Sequence, residues 1–307
     1  MNTFNSLRSL LIADLLTRYD DDGAQTSPEA FEHLRQFIER VSAPAPAPAP
    51  APAEYDLLGR RVRVTRGGNL VTMAKALTEA THHLTINERR LLFLALSKIN
   101  SKFAAVPPVI VTAKEFSSVF HIEKAKAYSV IKQAVVGAYE RSIDFYEPQI
   151  ASDGTKKNDK VVRIRWLSEI QYHEKLGYVT VIFNHTLHPY ISDLKNNFTS
   201  YKLATISQLK RIASCRLWDL LMRYKDTGEM FVEIDKFKRM IETPDYLIDA
   251  DFAQLRRRII QPAVDEINNA KCGYDVKWTS LKAGKKVVSL YFQFTKSSQE
   301  SLDLGES

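Results

Sequence analysis

From Leu70 onward the apolar residues recur first at helical and then at strand spacing, and the order of elements they predict occurs twice. In the first pass, Thr85 and Glu88 form a capping-box pattern that opens a helix with Leu91, Leu92, Ala95 and Ile99 facing inward. Val109, Ile110 and Val111 then predict a short strand, residues 114–120 a short helix and residues 123–142 a longer one. Strands follow over residues 144–150, 161–170 and 178–184. The second pass predicts a helix over 206–225, a strand over 230–234, a short helix over 235–241 and a longer helix over 251–270. It closes on a hairpin, where Tyr274, Val276 and Trp278 alternate with polar residues and Val288, Leu290, Phe292 and Phe294 alternate back. Helix, strand, helix, helix, hairpin is the order of a winged helix, so the fold class read here is α+β with two tandem winged-helix domains.

The front of the chain has a different texture. Residues 42–53 read SAPAPAPAPAPA, in which alternating proline removes helix donors and holds each preceding alanine extended. In polyproline II form such a stretch spans roughly 37 Å and acts as a stiff spacer. It sets off a helical appendage over residues 1–41, with Phe4, Leu7, Leu11 and Leu15 on one face and a second helix carrying Phe31, Leu34, Ile38 and Val41. That apolar stripe needs a cover, which either a homotypic contact or another protein would supply. The divisions expected are thus residues 1–41 (appendage), 42–56 (Ala-Pro linker), 57–198 (first winged helix), 199–296 (second winged helix) and 297–307 (acidic tail). Leu70, Leu77, Leu84 and Leu91 fall seven apart, but the cap at Thr85 starts a new helix within the run. Core packing is therefore favoured over a zipper.

The charge distribution sharpens the picture. The 307 residues carry a formal net charge of +7, and residues 57–296 hold an excess of fifteen positive charges between acidic ends, which points to an anionic partner. Two cysteines, Cys215 and Cys272, make no disulfide framework and suit a reducing, cytoplasmic setting. No apolar stretch reaches the roughly 18 residues that a membrane helix needs, so no membrane role is expected. His82-His83 and the pair His185 and His188 are the histidine groupings, and without a third ligand neither predicts a metal site. Phosphate-cradling, zinc-protease, nucleophile-elbow and dinucleotide motifs are missing, so no catalytic residue, cofactor or enzyme activity is assigned.

The strongest chemical signal lies over residues 251–267. At 100° per residue, Phe252, Leu255, Ile259, Ala263 and Ile267 gather on one side, while Gln254, Arg257, Arg258 and Gln261, with Asn268 beyond them, project from the other. Arginine bonds guanine O6 and N7 bidentately and glutamine bonds adenine N6 and N7, so these four are the candidate base readers in the major groove. Any amphipathic surface helix shows arginines to water, and that plain alternative stands beside the first. Arg256 falls nearer the apolar side and is expected to reach a phosphate or an internal carboxylate rather than a base, and Pro262 should bend the helix by removing a bond to the Arg258 carbonyl. Lys282, Lys285 and Lys286 at the hairpin tip suit phosphate contact. In the first copy the equivalent helix offers Lys126, Ser129, Lys132 and Gln133, a weaker reader and a plausible clamp on the backbone.

Four segments in order resemble the iteron-binding initiators of theta-replicating plasmids, the RepA/RepB/RepE type: residues 69–80, 84–92, 198–201 and 255–268. The resemblance runs from Asn69 to Thr295. It implies two winged-helix domains, the second supplying the main base contacts around Arg256 to Arg258 and the first supplying DNA contacts and a dimer surface. It further implies a monomer that binds direct repeats of double-stranded origin DNA, a homodimer in equilibrium with it that binds an inverted operator repeat and represses its own gene, and hence plasmid copy control. Origin opening would then recruit the host initiator DnaA and the replicative helicase in the bacterial cytoplasm. The appendage and spacer are not part of the shared pattern. Two other classes remain open on the residues alone: a dimeric repressor without a replication role, and a rolling-circle nicking initiator, for which the required His-hydrophobic-His motif is missing.

Overall fold

The computed structural model describes residues 70–102, 104–150, 156–270 and 272–297. The expected appendage (1–41), the linker (42–56) and, apart from Ser297, the acidic tail lie outside the described residues. The chain divides into a larger unit, drawn from residues 64–230, 235–277 and 292–307, and a smaller one that includes 231–234 and 278–291.

The larger unit opens with β1 (Leu70–Ala74), which pairs antiparallel with a later strand, β7 (Phe198–Lys202), so that Leu70 faces Lys202 and Ala74 faces Phe198. A short helix α1 (Lys75–Glu79) and an extended loop lead to α2 (Ile86–Leu96). The expected cap is formed there: the Thr85 N–H donates to Glu88 Oε2 at 2.8 Å, satisfying a donor that the first turn would otherwise leave bare. Leu91 through Leu96 are all buried, which makes α2 the central rod of the first core. Strand β2 (Val109–Thr112) runs into α3 (Ala113–Phe120), whose start is fixed by a second reciprocal cap, Glu115 N–H to Thr112 Oγ1 at 3.1 Å and Thr112 N–H to Glu115 Oε2 at 3.1 Å. His121 ends α3 in the left-handed conformation (φ +53°), and α4 (Lys124–Glu140) follows. Gly137 of α4 lies so close to α2 that a Cβ there would stand 2.1 Å from Glu88 Oε1.

Two separate β structures come next. Strands β3 (Ser142–Ile150) and β4 (Lys156–Arg165) form their own two-stranded sheet, while β5 (Leu167–His173) and β6 (Tyr178–Phe183) join β2 in the order β2-β6-β5. The single strand expected over 161–170 is therefore two. They part at Trp166, which is fully buried and whose N–H turns to the Arg141 carbonyl while its own carbonyl takes the Asn184 N–H. β5 and β6 are the first wing, closed by a 3-10 turn at Glu174–Leu176 and by Gly177 at φ +67°. A short helix α5 (His188–Ile191) precedes β7.

The second pass begins with a correction. The helix expected over 206–225 is α6 (Leu203–Ser207) and α7 (Ile212–Met222), with an irregular step between them. The Lys210 and Arg211 N–H groups donate to Glu266 at 2.9 and 3.3 Å, so a carboxylate from far along the chain caps α7 where the local pattern predicts continuity. Strand β8 (Glu229–Glu233), α8 (Ile234–Met240) and a one-turn helix α9 (Asp245–Ile248) lead to the long helix, which has three parts: α10 (Phe252–Leu255), a π-helical turn (Arg256–Ile260) and α11 (Gln261–Asn269). Strands β9 (Tyr274–Ala283) and β10 (Lys286–Lys296) make the hairpin, in a sheet of order β8-β10-β9. Asn268 ties the end of α11 to β9, donating to the Val276 carbonyl at 3.0 Å and accepting from its N–H at 2.8 Å.

The smaller unit contains the tip half of that hairpin. Its turn is tight, with Gly284 at φ +57° beside Lys285, a left-handed position where glycine carries no steric penalty. The four evenly spaced leucines fall on β1, α1, a loop and α2, and Leu77, Leu84 and Leu91 are buried, as core packing requires.

Candidate nucleic-acid interface

The long helix of the second winged helix is started by Asp251, whose carboxylate accepts the Gln254 N–H at 2.8 Å. Leu255, Ile259, Ile260, Ala263, Val264 and Ile267 are buried beneath it, which fixes the opposite face toward water. Arg257 and Arg258 lie on that exposed face, and Arg256 is exposed with them. The regular 100° spacing places Arg256 nearer the apolar side. The π turn accounts for the difference: the Gln261 N–H reaches back five residues to the Arg256 carbonyl, and this wider turn, ending one residue before Pro262, carries all three guanidinium groups outward. The helix thereby runs on through the missing Pro262 donor.

Gln254 is half-buried and bound to its neighbours. Its Oε1 accepts from Arg257 Nη2 at 2.9 Å and from Arg258 Nε at 3.2 Å, a neutral bracket that aligns two cations without cancelling their charge. Gln261, also half-buried, donates from Nε2 to Asp265 Oδ1 at 2.8 Å. The four residues expected to read bases thus lie within two turns of one helix. In the smaller unit, Lys282, Lys285 and Lys286 are exposed at and beside the hairpin turn.

The first winged helix presents a different surface. Lys126, Ser129 and Gln133 are exposed on α4 and Lys132 is half-buried. Lys126 Nζ pairs with Glu123 at 2.7 Å, and the Ser129 hydroxyl is turned to the Lys126 carbonyl at 2.8 Å. Lys132 reaches the wing, where it pairs with Glu174 and lies 5.8 Å over the Tyr172 ring. That pairing holds the Glu174 carboxyl below its ordinary range and raises the Lys132 ammonium. The wing tip also exposes Leu176, 69 % accessible.

The larger unit also holds a buried ionic cluster. Asp219 accepts from Arg89 Nη2 at 2.5 Å and from the Tyr201 hydroxyl at 2.5 Å, and Arg216 forms an ion pair with Glu242 at 3.0 Å and donates to the Ala80 and Met240 carbonyls at 2.6 and 3.0 Å. Burial, with Arg216 and Arg89 alongside, pushes the His82 imidazole well below its ordinary range, so it stays neutral and donates from Nε2 to the Leu77 carbonyl at 2.8 Å. Glu242 and Glu266 are the residues that reading the sequence missed. Their partners lie 160 and 56 residues away, a separation that leaves no local mark. Among the described residues no helix is long and apolar enough to cross a membrane. Burial pushes the Cys215 thiol up to about 11 and that of Cys272 to about 12, so both stay protonated at neutral pH.

Comparison with known proteins follows the same two-part division. The model "Initiator Replication protein, WH1" matches residues 70–222, and "Initiator Rep protein, WH2" matches residues 233–294. An uncharacterised 27.6 kDa protein of Escherichia coli is 24 % identical over 245 residues, covering 76 % of this chain and 96 % of that protein. The PI protein of Escherichia coli is 24 % identical over 268 residues, 76 % of this chain and 86 % of its own. In solved structures, the Pi initiator protein in complex with iteron DNA superposes with a TM-score of 0.63 at 20 % identity, over 76 % of this chain and 99 % of that one.

Proposed function

Since the chain belongs to the iteron-binding plasmid replication initiators, we propose that it binds a set of direct repeats in double-stranded plasmid origin DNA and strains the duplex so that a nearby AT-rich stretch opens. The observation that carries this reading is the exposed arginine triplet on the long helix of the second winged helix, two of whose members are held by a neutral glutamine. Arg257 and Arg258 contact bases, with Gln254 and Gln261 beside them, and Arg256, Lys282, Lys285 and Lys286 contact phosphates. On the first winged helix, Lys126, Ser129, Lys132 and Gln133 supply weaker backbone contacts, since phosphates must compete there with Glu123 and Glu174.

The protein acts as a binding protein, not an enzyme, in the bacterial cytoplasm. Residues 57–198 supply the dimer surface and residues 199–296 the main reader. The monomer occupies the direct repeats, and the homodimer occupies an inverted operator repeat and represses the protein's own gene. The opened origin takes up the host initiator DnaA and the replicative helicase. Nuclease footprinting on DNA flanking the gene tests the reading. A ladder of evenly spaced protected sites is the expected result, and a single protected palindrome would instead make the protein a repressor alone.

A further inference from the structure

The first wing ends on a leucine held out into water. Glu174, Lys175 and Leu176 make a single 3-10 turn, which Gly177 closes in the left-handed conformation with its N–H on the Glu174 carbonyl at 3.2 Å. Leu176, at the crest, is largely exposed. The crest is also firmly placed. Beneath it the rings of His173 and Tyr178, partners across β5 and β6, stack with their centroids 4.3 Å apart. The Gly177 carbonyl accepts the Ala113 N–H at 2.9 Å, which ties the turn to the start of α3. Glu174 pairs with Lys132, so the crest lies beside the outward face of α4. A duplex that meets α4 therefore meets Leu176 as well. Single exposed apolar residues are common on protein surfaces, but this one stands on a fixed turn at the edge of a face read as a DNA contact. The other wing turn differs in kind: Lys282, Lys285 and Lys286 surround Gly284, charges suited to phosphates, where the first wing sets Leu176 beside its glycine.

We infer that Leu176 is the residue with which the first module distorts the duplex: its side chain enters the minor groove between two base pairs and partly unstacks them, so that the DNA kinks at that step. This rests on the function proposed above and deepens it by naming the side chain that strains the origin. Apolar wedges of this kind, leucine among them, kink a duplex by roughly 20 to 90° toward the major groove. The wedge must be held rigidly, because a mobile turn would yield before the stacked bases do, and the ties at His173, Gly177 and Glu174 meet that requirement. Pyrimidine–purine steps unstack most easily, so the kink is expected at such a step.

The test uses the full-length protein and a duplex carrying one repeat, with 2-aminopurine placed in turn at each step of the repeat and a fluorophore pair at the two ends. The unaltered protein should brighten the 2-aminopurine severalfold at one step and draw the ends together by a kink of roughly 20° or more. Leu176→Ala should lose both signals while thermal unfolding stays unchanged, because the side chain is exposed. Leu176→Lys separates insertion from contact: the added charge should strengthen binding to all duplexes through phosphates, yet both signals should again be lost. Full brightening and an undiminished kink in either variant would overturn the inference, and so would an unaltered protein that binds the repeat without brightening any step. Failure of the unaltered protein to bind any repeat would overturn the proposed function instead.

Discussion

Helix α4 and the long helix over residues 252–269 hold the same place in successive winged helices, yet their outward charges are treated in opposite ways. On α4 two of the three lysines face carboxylates, Lys126 with Glu123 and Lys132 with Glu174. On the long helix Arg257 and Arg258 share the amide oxygen of Gln254, which orders them and leaves the net charge unspent. A cation paired to a carboxylate must give up that partner before it meets a phosphate, and a single lysine head cannot offer the two-pronged donor pattern that picks out guanine. Under the proposed assignment, one fold used twice in a chain divides into a reader and a holder through the identity of the neighbours more than through the number of basic residues.

The most direct way to break this contrast is to remove the proposed readers. Arg257→Ala and Arg258→Ala should each cost about 1 to 3 kcal/mol on cognate repeats and flatten the preference among base-pair variants, whereas Lys285→Ala should weaken all duplexes alike. Binding titrations on cognate and scrambled DNA measure this. Equal losses on both DNAs for all three variants would end the distinction between reader and holder.

Acid separates charge that faces DNA from charge that holds the fold. His82 is buried neutral between Arg216 and Arg89, with a folded pKa well below the ordinary 6.5. As pH falls through about 6.5, the unfolded chain takes up a proton that the folded chain refuses, so stability drops by up to about 1.4 kcal/mol per pH unit. Asp144, whose carboxyl is held low by hydrogen bonds from Arg163, adds stability that is present above its unfolded value of 3.8 and lost only below it. The window from pH 6.5 to 5 therefore belongs to His82. Denaturant midpoints across that window should decline in the unaltered protein and stay level in His82→Gln, and equal slopes would refute the assignment.

A smaller effect is expected at the contact between α4 and α2. In Gly137→Ala the new methyl would displace the Glu88 carboxylate, which also accepts from Thr85 N–H and from Arg141 Nε at 3.1 Å. Loss of that cap should cost about 1 kcal/mol in thermal unfolding while base preference on cognate DNA stays unchanged. A shift in base preference would mean that α4, and not the long helix, discriminates sequence.

Much of this was legible in the residues themselves. The cap at Thr85, the alternation in the final hairpin and the outward set Gln254, Arg257 and Arg258 are local patterns, with periods and partners that lie within a few residues. What could not be read depends on distant partners. The step between α6 and α7 exists because Glu266 caps it, and the strand break at Trp166 because that ring buries with its Nε1–H on the His82 carbonyl at 3.3 Å. The outward turn of Arg256 depends on a π turn that a fixed 100° projection cannot represent. The quenching of Lys132 was invisible for the same reason, since Glu174 lies 42 residues away.

That last pairing gives the gentlest and most pointed test. If Lys132 is a phosphate contact held in check by the wing, Glu174→Gln should release it, raising affinity a few-fold on cognate and random duplexes alike and steepening the salt dependence by up to about one unit of slope. The gain must vanish in a Glu174→Gln, Lys132→Gln double variant, because the freed ammonium is its source. Should the double variant bind as well as Glu174→Gln alone, the effect comes from the removed negative charge, and α4 takes no part in gripping the backbone through Lys132.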